Sequence, residues 1–311
     1  MHKKLFSWFL AFTFAAFAAF AVSAQENPGR AAGVIKVAKV TGQVTAIKDG
    51  NTITLQVGSE ISQGYVVNTG NDSSVVLAFS NGATINLAQD SSLSIDEFLQ
   101  DPFGDEVSFS SMTSEPSVST TKLNLSRGEL VGNVKKLNAD AGSTFSVQTP
   151  VGAAGIRGTT FRIIFRPDGT GKAFFSLTTV EGNVVLFSGT VNMPSEVEVP
   201  DNREVEVLID VQTDPNTGVT TVTAGPDAQV VVTIPPAATM AEVIAAAQQA
   251  LQSVVNVAFP PTTPRDTGGP SGDTGDEGDD GTGDGGDKNN TETGSPPAAA
   301  TAPKTTPGDG K

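Results

Sequence analysis

The sequence predicts an all-β protein: a short-stranded β-sandwich or solenoid-like roll, followed by one C-terminal helix and a disordered acidic tail. Short runs rich in Val, Ile, Thr and Phe recur between residues 34 and 235, a pattern typical of strands. Turn-forming residues separate these runs, for example at Asn81-Gly82 and at Pro167-Asp168-Gly169. One segment near the C-terminus instead has the composition of a helix.

The N-terminus has the pattern of an export signal. Two lysines precede an apolar run over residues 5–22, and Val22-Ser23-Ala24 offers small residues to a signal peptidase. We interpret residues 1–24 as a signal peptide and residues 25–33 as an N-terminal linker. The alternative is an uncleaved membrane anchor, because the run approaches the roughly 20 residues that span a bilayer. We expect cleavage, no stable membrane insertion afterwards, and an exported protein that is periplasmic, secreted or on the cell surface.

Residues 34–235 are predicted to form the β domain. A two-residue turn at Asn81-Gly82 would set Ala78 opposite Ile85 in the hairpin that it closes. Both faces of this hairpin are apolar, so we expect it to be covered on two sides, as in a sandwich. The polar, Ser-rich stretch over about 97–121 is interpreted as a surface insertion between two halves of the β domain.

A weak internal sequence similarity suggests that the β domain has two related halves. Val40-Thr41-Gly42-Gln43-Val44 is similar to Val180-Glu181-Gly182-Asn183-Val184, and each segment begins a β run. Five residues are too few to establish a duplication. They suggest that strands from both ends of the β domain share one architecture.

Residues 236–261 are predicted to contain the C-terminal helix. Thr239 and Glu242 have the spacing of a capping box, and residues 241–254 are rich in Ala, Leu and Gln without Gly or Pro. Val243, Ala247 and Val254 would share one face. We therefore expect the helix to pack on the β domain.

Residues 262–311 are predicted to be a disordered Gly/Asp/Pro-rich tail. The segment contains no Val, Ile, Leu, Met or aromatic residue, so it cannot bury enough apolar surface to offset the entropy of ordering. Its acidic centre, residues 273–287, raises the alternative of weak calcium binding. The spacing departs from that of an EF-hand loop, which favours a solvated tail. We predict no cofactor and no metal site.

Composition excludes several classes of function. The chain has 34 acidic and 19 basic residues and a formal charge of -15, so we expect no nucleic-acid partner. It contains no cysteine, and its single histidine, His2, lies in the predicted signal peptide. Ser-His-Asp and Cys-His systems and histidine-ligated zinc therefore cannot be built in the exported form. The prediction is that the protein is not an enzyme.

Four spaced motifs follow one another in the β domain. They are Val40-x-Gly42-x-Val44, then Gly58-x-x-Ile61-x-x-Gly64-x-x-Val67-x-Thr69-Gly70, then Val75-Val-Leu-Ala-Phe-Ser-Asn-Gly82-Ala-Thr-Ile85-x-Leu87, and finally Phe145-x-Val147-x-Thr149-Pro150-x-Gly152-x-x-Gly155-Ile156-Arg157-Gly158-Thr159-x-Phe161. Over about residues 34 to 190 this pattern resembles the FecR domain. The last motif is the most specific part of the resemblance.

The resemblance implies an exported β interaction module. In the protein that gives the family its name, the domain lies on the periplasmic side of a transmembrane protein that relays signals to a sigma factor. No cytoplasmic domain precedes the predicted signal peptide, so sigma-factor regulation is not expected to carry over. The family signature, structural or in partner contact, comprises Thr149, Pro150, Gly155, Arg157, Gly158 and Thr159.

Two roles are open for the signature arginine. Gly155 and Gly158 are expected to adopt backbone angles closed to other residues. Arg157 between them could turn inward and bind loop carbonyls or a carboxylate with its five donors, which we favour. It could instead face outward as a partner contact.

The leading hypothesis is an exported FecR-like, non-catalytic binding module that mediates protein-protein contacts in the bacterial cell envelope. Its partner would be an envelope or cell-surface protein, contacted in part by the addition of edge strands. The alternative is a cell-surface adhesin that binds cell wall or polysaccharide. A cryptic hydrolase is less favoured, because the catalytic residue types are missing.

Overall fold

The computed structural model describes residues 30–190, 192–213, 220–224 and 230–262. The predicted signal peptide, residues 25–29 of the linker and the tail from residue 263 onward lie outside the described residues, as does the question of calcium binding by the tail. Within the described ranges, no helix is both long enough and apolar enough to cross a bilayer.

The described residues form mainly short strands. In chain order these are β1 (Ala31–Ala32), β2 (Ile35–Thr41), β3 (Val44–Lys48), β4 (Asn51–Thr54), β5 (Glu60–Ile61), β6 (Val66–Thr69), β7 (Ser74–Phe79), β8 (Thr84–Leu87), β9 (Ser92–Gln100), β10 (Val107–Ser108), β11 (Ser119–Asn133), β12 (Thr144–Thr149), β13 (Gly152–Ile156), β14 (Thr160–Pro167), β15 (Lys172–Glu181), β16 (Asn183–Ser188), β17 (Glu196–Pro200), β18 (Arg203–Thr213), β19 (Thr220–Ala224), β20 (Val232–Thr233) and β21 (Ala258–Phe259). One helix, α1 (Ala237–Val254), precedes β21. The predicted all-β class is confirmed.

All the strands except β10 and β21, which pair with each other, belong to two sheets that share β11. Sheet A has the order β4-β3-β6-β9-β11-β12-β13-β16-β17, with β1 on the end of β9. Sheet B has the order β5-β2-β7-β8-β11-β14-β15-β18, with β19 and β20 both on β18. Neighbouring strands are antiparallel, except that β11 and β12 are parallel. Apolar side chains from both sheets form one buried core, including Phe98, Phe161 and Phe175.

Strand β11 crosses from one sheet to the other. Its first part, residues 119–127, pairs with β9 in sheet A, and its second part, residues 128–133, pairs with β14 in sheet B. The change occurs at Gly128, whose φ is 101°. A Cβ at Gly128 would lie 2.0 Å from Ser91 Oγ, so this position requires glycine for both its backbone angle and its space.

The two similar segments form equivalent turns from sheet B to sheet A. Gly42 joins β2 of sheet B to β3 of sheet A, and Gly182 joins β15 of sheet B to β16 of sheet A. Both glycines have positive φ, 67° and 88°. The repeated Gly therefore serves the same sheet-crossing turn at both places.

The register of the predicted hairpin is wrong by one residue. Ala78 of β7 lies opposite Thr84 of β8, because Phe79 donates its N–H to the carbonyl of Ala83 across a three-residue loop. Asn81 Oδ1 accepts the N–H of Ala83, and Gly82 takes a φ of 88°. This loop is the next most favoured hairpin connection after the two-residue turn. The expectation that both faces are covered is correct, since β7 is buried on both.

Helix α1 covers part of the outer face of sheet B. Val243 and Ala247 pack on Val131, and Ala250 and Val254 join a second apolar cluster. The predicted packing of the helix on the β domain is confirmed. The capping box is wrong: the helix begins at residue 237 behind Pro236, which makes no side-chain capping bond, so Thr239 already lies in the first turn.

The stretch over 97–121 is not a surface insertion. Its two ends belong to β9 and β11, and Phe103, Phe109 and Met112 between them are buried. These three residues pack with α1 and with Phe259. Strand β10 pairs with β21, which ties this stretch to the end of the described chain. The prediction failed because these three apolar residues are widely spaced within a Ser-rich segment, so they form no local apolar pattern.

Replacing Gly128 tests the crossing of β11. Gly128→Ala should lower the free energy of unfolding by about 3 kcal/mol, since a left-handed backbone and the contact with Ser91 both oppose a Cβ. Gly169→Ala is the matched control, because Gly169 has a φ of 76° in a turn where no atom lies within 4 Å of a Cβ. It should lose about 1 kcal/mol. Urea unfolding compares the two, and equal losses would contradict the crowding argument.

Candidate functional site

Thr149 and Pro150 form the turn between β12 and β13. Thr149 is buried, and its Oγ1 donates to the carbonyl of Gly152 at 2.9 Å. The same oxygen accepts the N–H groups of Val151 and Gly152, at 3.2 and 3.3 Å. One hydroxyl therefore satisfies three backbone groups of a buried turn. The role of Thr149 is to hold this turn.

Gly155 lies within β13 rather than in a loop. It pairs with Ser146 of β12 and Val185 of β16, and it is absent from the residues with positive φ. The expected special backbone angle at Gly155 is therefore wrong. A Cβ there would lie 3.5 Å from the ring of Phe187, an ordinary van der Waals distance, so neither the backbone angle nor the space requires glycine at this position.

Arg157, Gly158 and Thr159 link β13 of sheet A to β14 of sheet B. Gly158 has a φ of 66°, as expected, and a Cβ there would lie 3.3 Å from Cα of Lys136. Thr159 is buried, and its carbonyl accepts the N–H of Val134 at 2.9 Å. The backbone on the C-terminal side of Arg157 is thus packed against the segment that follows β11.

Arg157 itself is exposed. The favoured inward orientation is therefore wrong, and the side chain faces outward. No carbonyl or carboxylate of the described residues holds this guanidinium, whereas Arg162 and Arg166 both pair with Glu129. A loop that is already fixed by Gly158 and by the carbonyl of Thr159 does not need the arginine side chain.

The signature residues do not converge on one pocket. Thr149 and Pro150 lie at one end of β13, and residues 157–159 lie at the other. Between them runs an open surface on the outer side of sheet A, which we call the β13–β16 face: Ala153, Gly155, Val185 and Phe187. Phe187 is 52% exposed, and its ring lies next to Gly155.

Acidic residues border the β13–β16 face on one side. Glu196 and Glu198 of β17 lie opposite Phe187 and Val185 of β16, and both glutamates are exposed. Arg157 follows directly on the end of β13. The surface therefore offers an exposed ring, small residues and one unpaired cation, which is a composition suited to protein contacts.

A family model matches part of the β domain. The model described as "FecR protein" matches residues 65–191, which include every signature residue. This stretch of the chain is therefore similar to FecR proteins. No curated protein sequence matches the chain.

Two solved structures are similar to part of the chain. Both are crystal structures of a candidate anti-sigma factor from Parabacteroides distasonis, at 2.50 and 1.65 Å resolution. Each matches with 12% sequence identity and a TM-score of 0.33. The match covers 51% of this chain, which spans 59% of the length of that protein.

The β domain also holds a buried row of charges that no local sequence pattern indicates. Arg162 Nη2 lies 3.7 Å from Glu204 Oε1, and Arg162 Nη1 lies 3.9 Å from Glu129 Oε1. Glu204 is only 1% exposed and accepts hydroxyl hydrogen bonds from Ser176 and Thr178, at 2.8 and 3.2 Å. The row lies on sheet B beside α1, since Arg162 is the ladder neighbour of Val131. We interpret it as structural.

Glu206 extends this row toward solvent. Burial and the negative charge of Glu204 raise the pKa of the Glu206 carboxyl above its ordinary value, and a hydrogen bond to Glu204 acts in the same direction. The guanidinium of Arg162 opposes the rise. Protonation of Glu206 therefore removes a repulsion between two carboxylates of one strand.

The described residues contain no group of three or more acidic or histidine residues that could hold a metal ion. An open depression of about 680 Å³ is lined by Asp101, Lys136 and Asp140, among others. Asp101 already pairs with Arg30 at 2.9 Å. This depression does not contain the signature residues, so we place the candidate site on the β13–β16 face.

The two signature threonines should respond differently to the same substitution. Thr149→Val removes the acceptor for two N–H groups in a buried turn and should cost about 1 to 3 kcal/mol of unfolding free energy. Thr159→Val removes a buried hydroxyl that has no partner, so it should be neutral or stabilising. Chemical denaturation of both variants checks this. A larger loss for Thr159→Val would disprove the assignment.

Glu206→Gln should change how stability depends on pH. Because the folded pKa is raised, Glu206 destabilises the folded state above that pKa, and the penalty disappears as the pH falls below the unfolded value. The advantage of the Gln variant over the unchanged chain should therefore shrink between pH 7 and pH 4. Thermal unfolding across this range measures it. Glu198→Gln controls for the loss of one charge at an exposed position.

Proposed function

We propose that the FecR domain of this chain is a non-catalytic module that binds another protein in the bacterial cell envelope through its β13–β16 face. The family match supports a FecR-type regulatory module. The predicted signal peptide supports a location beyond the cytoplasmic membrane. The surface chemistry described next supports a protein as the ligand.

The exposure of Arg157 is the observation on which this proposal rests. Its neighbour Gly158 is fixed by packing against Lys136, and the carbonyl of Thr159 is bonded, so the backbone presents the arginine in a defined place. The side chain is not used by the described fold. An arginine fork binds carboxylates in a bidentate manner, and arginine is enriched in interface hot spots. We infer that Arg157 binds an acidic group of the partner.

Phe187 supplies the apolar part of the proposed contact. Its ring is half exposed above Gly155, and Val185 lies beside it on the same strand and face. Burying an exposed aromatic ring contributes to affinity through the hydrophobic effect, and aromatic residues are enriched at interfaces. The glutamates of β17 would then lie at the rim, where they disfavour acidic surfaces that do not match.

A second candidate ligand is a neutral polysaccharide. Ser94, Asn124 and Gln148 lie side by side on β9, β11 and β12, on the outer side of sheet A. Ala153 and Phe187 continue the row on β13 and β16. Uncharged amides and hydroxyls that lead to an exposed ring resemble the donors, acceptors and stacking platform that sugars bind. This arrangement favours the adhesin hypothesis enough to include it in the test.

A photo-crosslinking residue in place of Phe187 tests the proposal in intact cells. The expected result is one crosslinked envelope protein, identified by mass spectrometry. The same residue in place of Leu208 is the matched control, because Leu208 is 67% exposed but lies on sheet B. Position 208 should not crosslink to that protein.

Arg157→Ala should then reduce the crosslink at position 187 by about tenfold or more, the effect of a hot-spot arginine. Arg127→Ala, which removes another exposed arginine, should leave it unchanged. Neither substitution should alter the unfolding temperature measurably. Absence of any protein crosslink, together with retention of the chain on purified cell wall and its release by soluble glycan, would overturn the proposal in favour of the adhesin.

A further inference from the structure

Strand β4 is a free edge of sheet A. It pairs with β3 on one side, and all of its residues are exposed. No other strand among the described residues pairs with its second side. Unpaired strand edges present rows of N–H and C=O groups that can extend a sheet into another chain.

The hydrogen-bond pattern shows which groups of β4 are free. Leu55 donates its N–H to the carbonyl of Val44 at 2.9 Å, which makes this antiparallel pair a hydrogen-bonded one. Since such pairs alternate, Ile53 also bonds toward β3 through Ala46, whereas Thr52 and Thr54 direct their N–H and C=O groups outward. The pairing of β3 with β6, its other neighbour, is consistent with this pattern. The N–H of Gly70 bonds to the carbonyl of Gln43, so the odd-numbered residues of β3 direct their backbone groups toward β6.

The opposite edge of sheet A is protected, and β4 is not. Strand β17 carries Glu196, Glu198 and Pro200, which are residues that blunt an edge by charge and by removing a donor. Strand β4 reads Asn-Thr-Ile-Thr, without charge or proline. Its Ile53 lies on the same side of sheet A as the buried Ala46, yet remains 40% exposed because no strand follows.

We propose that the free edge of β4 pairs with the β4 strand of a second copy of this chain, in antiparallel register about a two-fold axis at Ile53. In this register Thr52 lies opposite Thr54 of the second copy. By symmetry, Thr54 lies opposite Thr52 of the second copy. Both pairs are of the hydrogen-bonded kind, because these two residues direct their backbone groups outward. The edge is thus complementary to itself, as a two-fold interface requires.

Side-chain chemistry agrees with this register. The two Ile53 side chains would meet at the axis, in a non-hydrogen-bonded pair where side chains are closest. No charge of β4 opposes its own copy. The proposal is independent of the proposed function, because β4 and the β13–β16 face are at opposite ends of the strand order of sheet A.

The association should be weak and salt-dependent. A strand of four residues buries less than the roughly 800 Å² per partner of a standard interface. The formal charge of -15 adds repulsion between copies, which salt screens. Sedimentation velocity of the purified chain, from about 10 μM to about 1 mM, should therefore show a dimer that increases with concentration and with added NaCl.

Thr52→Pro should abolish the dimer, since proline removes an outward N–H without breaking a bond to β3. Thr52→Val, which keeps the N–H, should dimerise as the unchanged chain does. Ile53→Lys, which sets two like charges at the axis, should also give monomers, and an unchanged unfolding temperature establishes that each variant is folded. The proposal is overturned if the chain is monomeric throughout this range or if folded Thr52→Pro still dimerises.

Discussion

The shared strand β11 is the constraint on which both sheets depend. Its first part supports β12, to which β13 and then β16 are added, so the β13–β16 face is built outward from it. Its second part supports β14, β15 and β18, which bring together the charges of Arg162 and Glu204. Both arrangements meet at Gly128, where Ser91 leaves no space for a side chain. A distortion at this residue would therefore move the candidate surface and the buried charges together.

Local patterns in the sequence were sufficient for the fold class. Alternating apolar residues, glycine corners and a Gly-free helix are encoded within a few residues of chain, and each appears in the structure. Features set by tertiary packing were not predictable in this way. The hairpin loop at Asn81 takes three residues because its side chain bonds the backbone of Ala83, and Phe103 and Phe109 are buried only because α1 and β21 reach them from far along the chain.

The candidate site, too, was predictable from the sequence only in part. Resemblance to a family located the signature residues, but their roles depend on what surrounds them. Arg157 faces outward while Gly158 and Thr159 are packed against the segment after β11, an environment that the spacing of residues does not reveal. The charges of Glu129, Arg162 and Glu204 come from three strands, and only the register of sheet B places them side by side. Likewise, β4 is recognisable as a free edge only from the order of strands in sheet A.

The C-terminal segment has a consequence for the nascent protein. Lys36 Nζ donates to the carbonyl of Ala258, a contact that spans 222 residues, and the apolar residues Val76 and Ala78 are covered by α1 and Phe259. Chains emerge N-terminus first, so sheet B can pair its strands before its cover has been synthesised. In that interval a hydrophobic surface faces water, and closing it requires contacts of high sequence separation, which form slowly. Truncation ahead of residue 237 would make this transient, aggregation-prone species the end product.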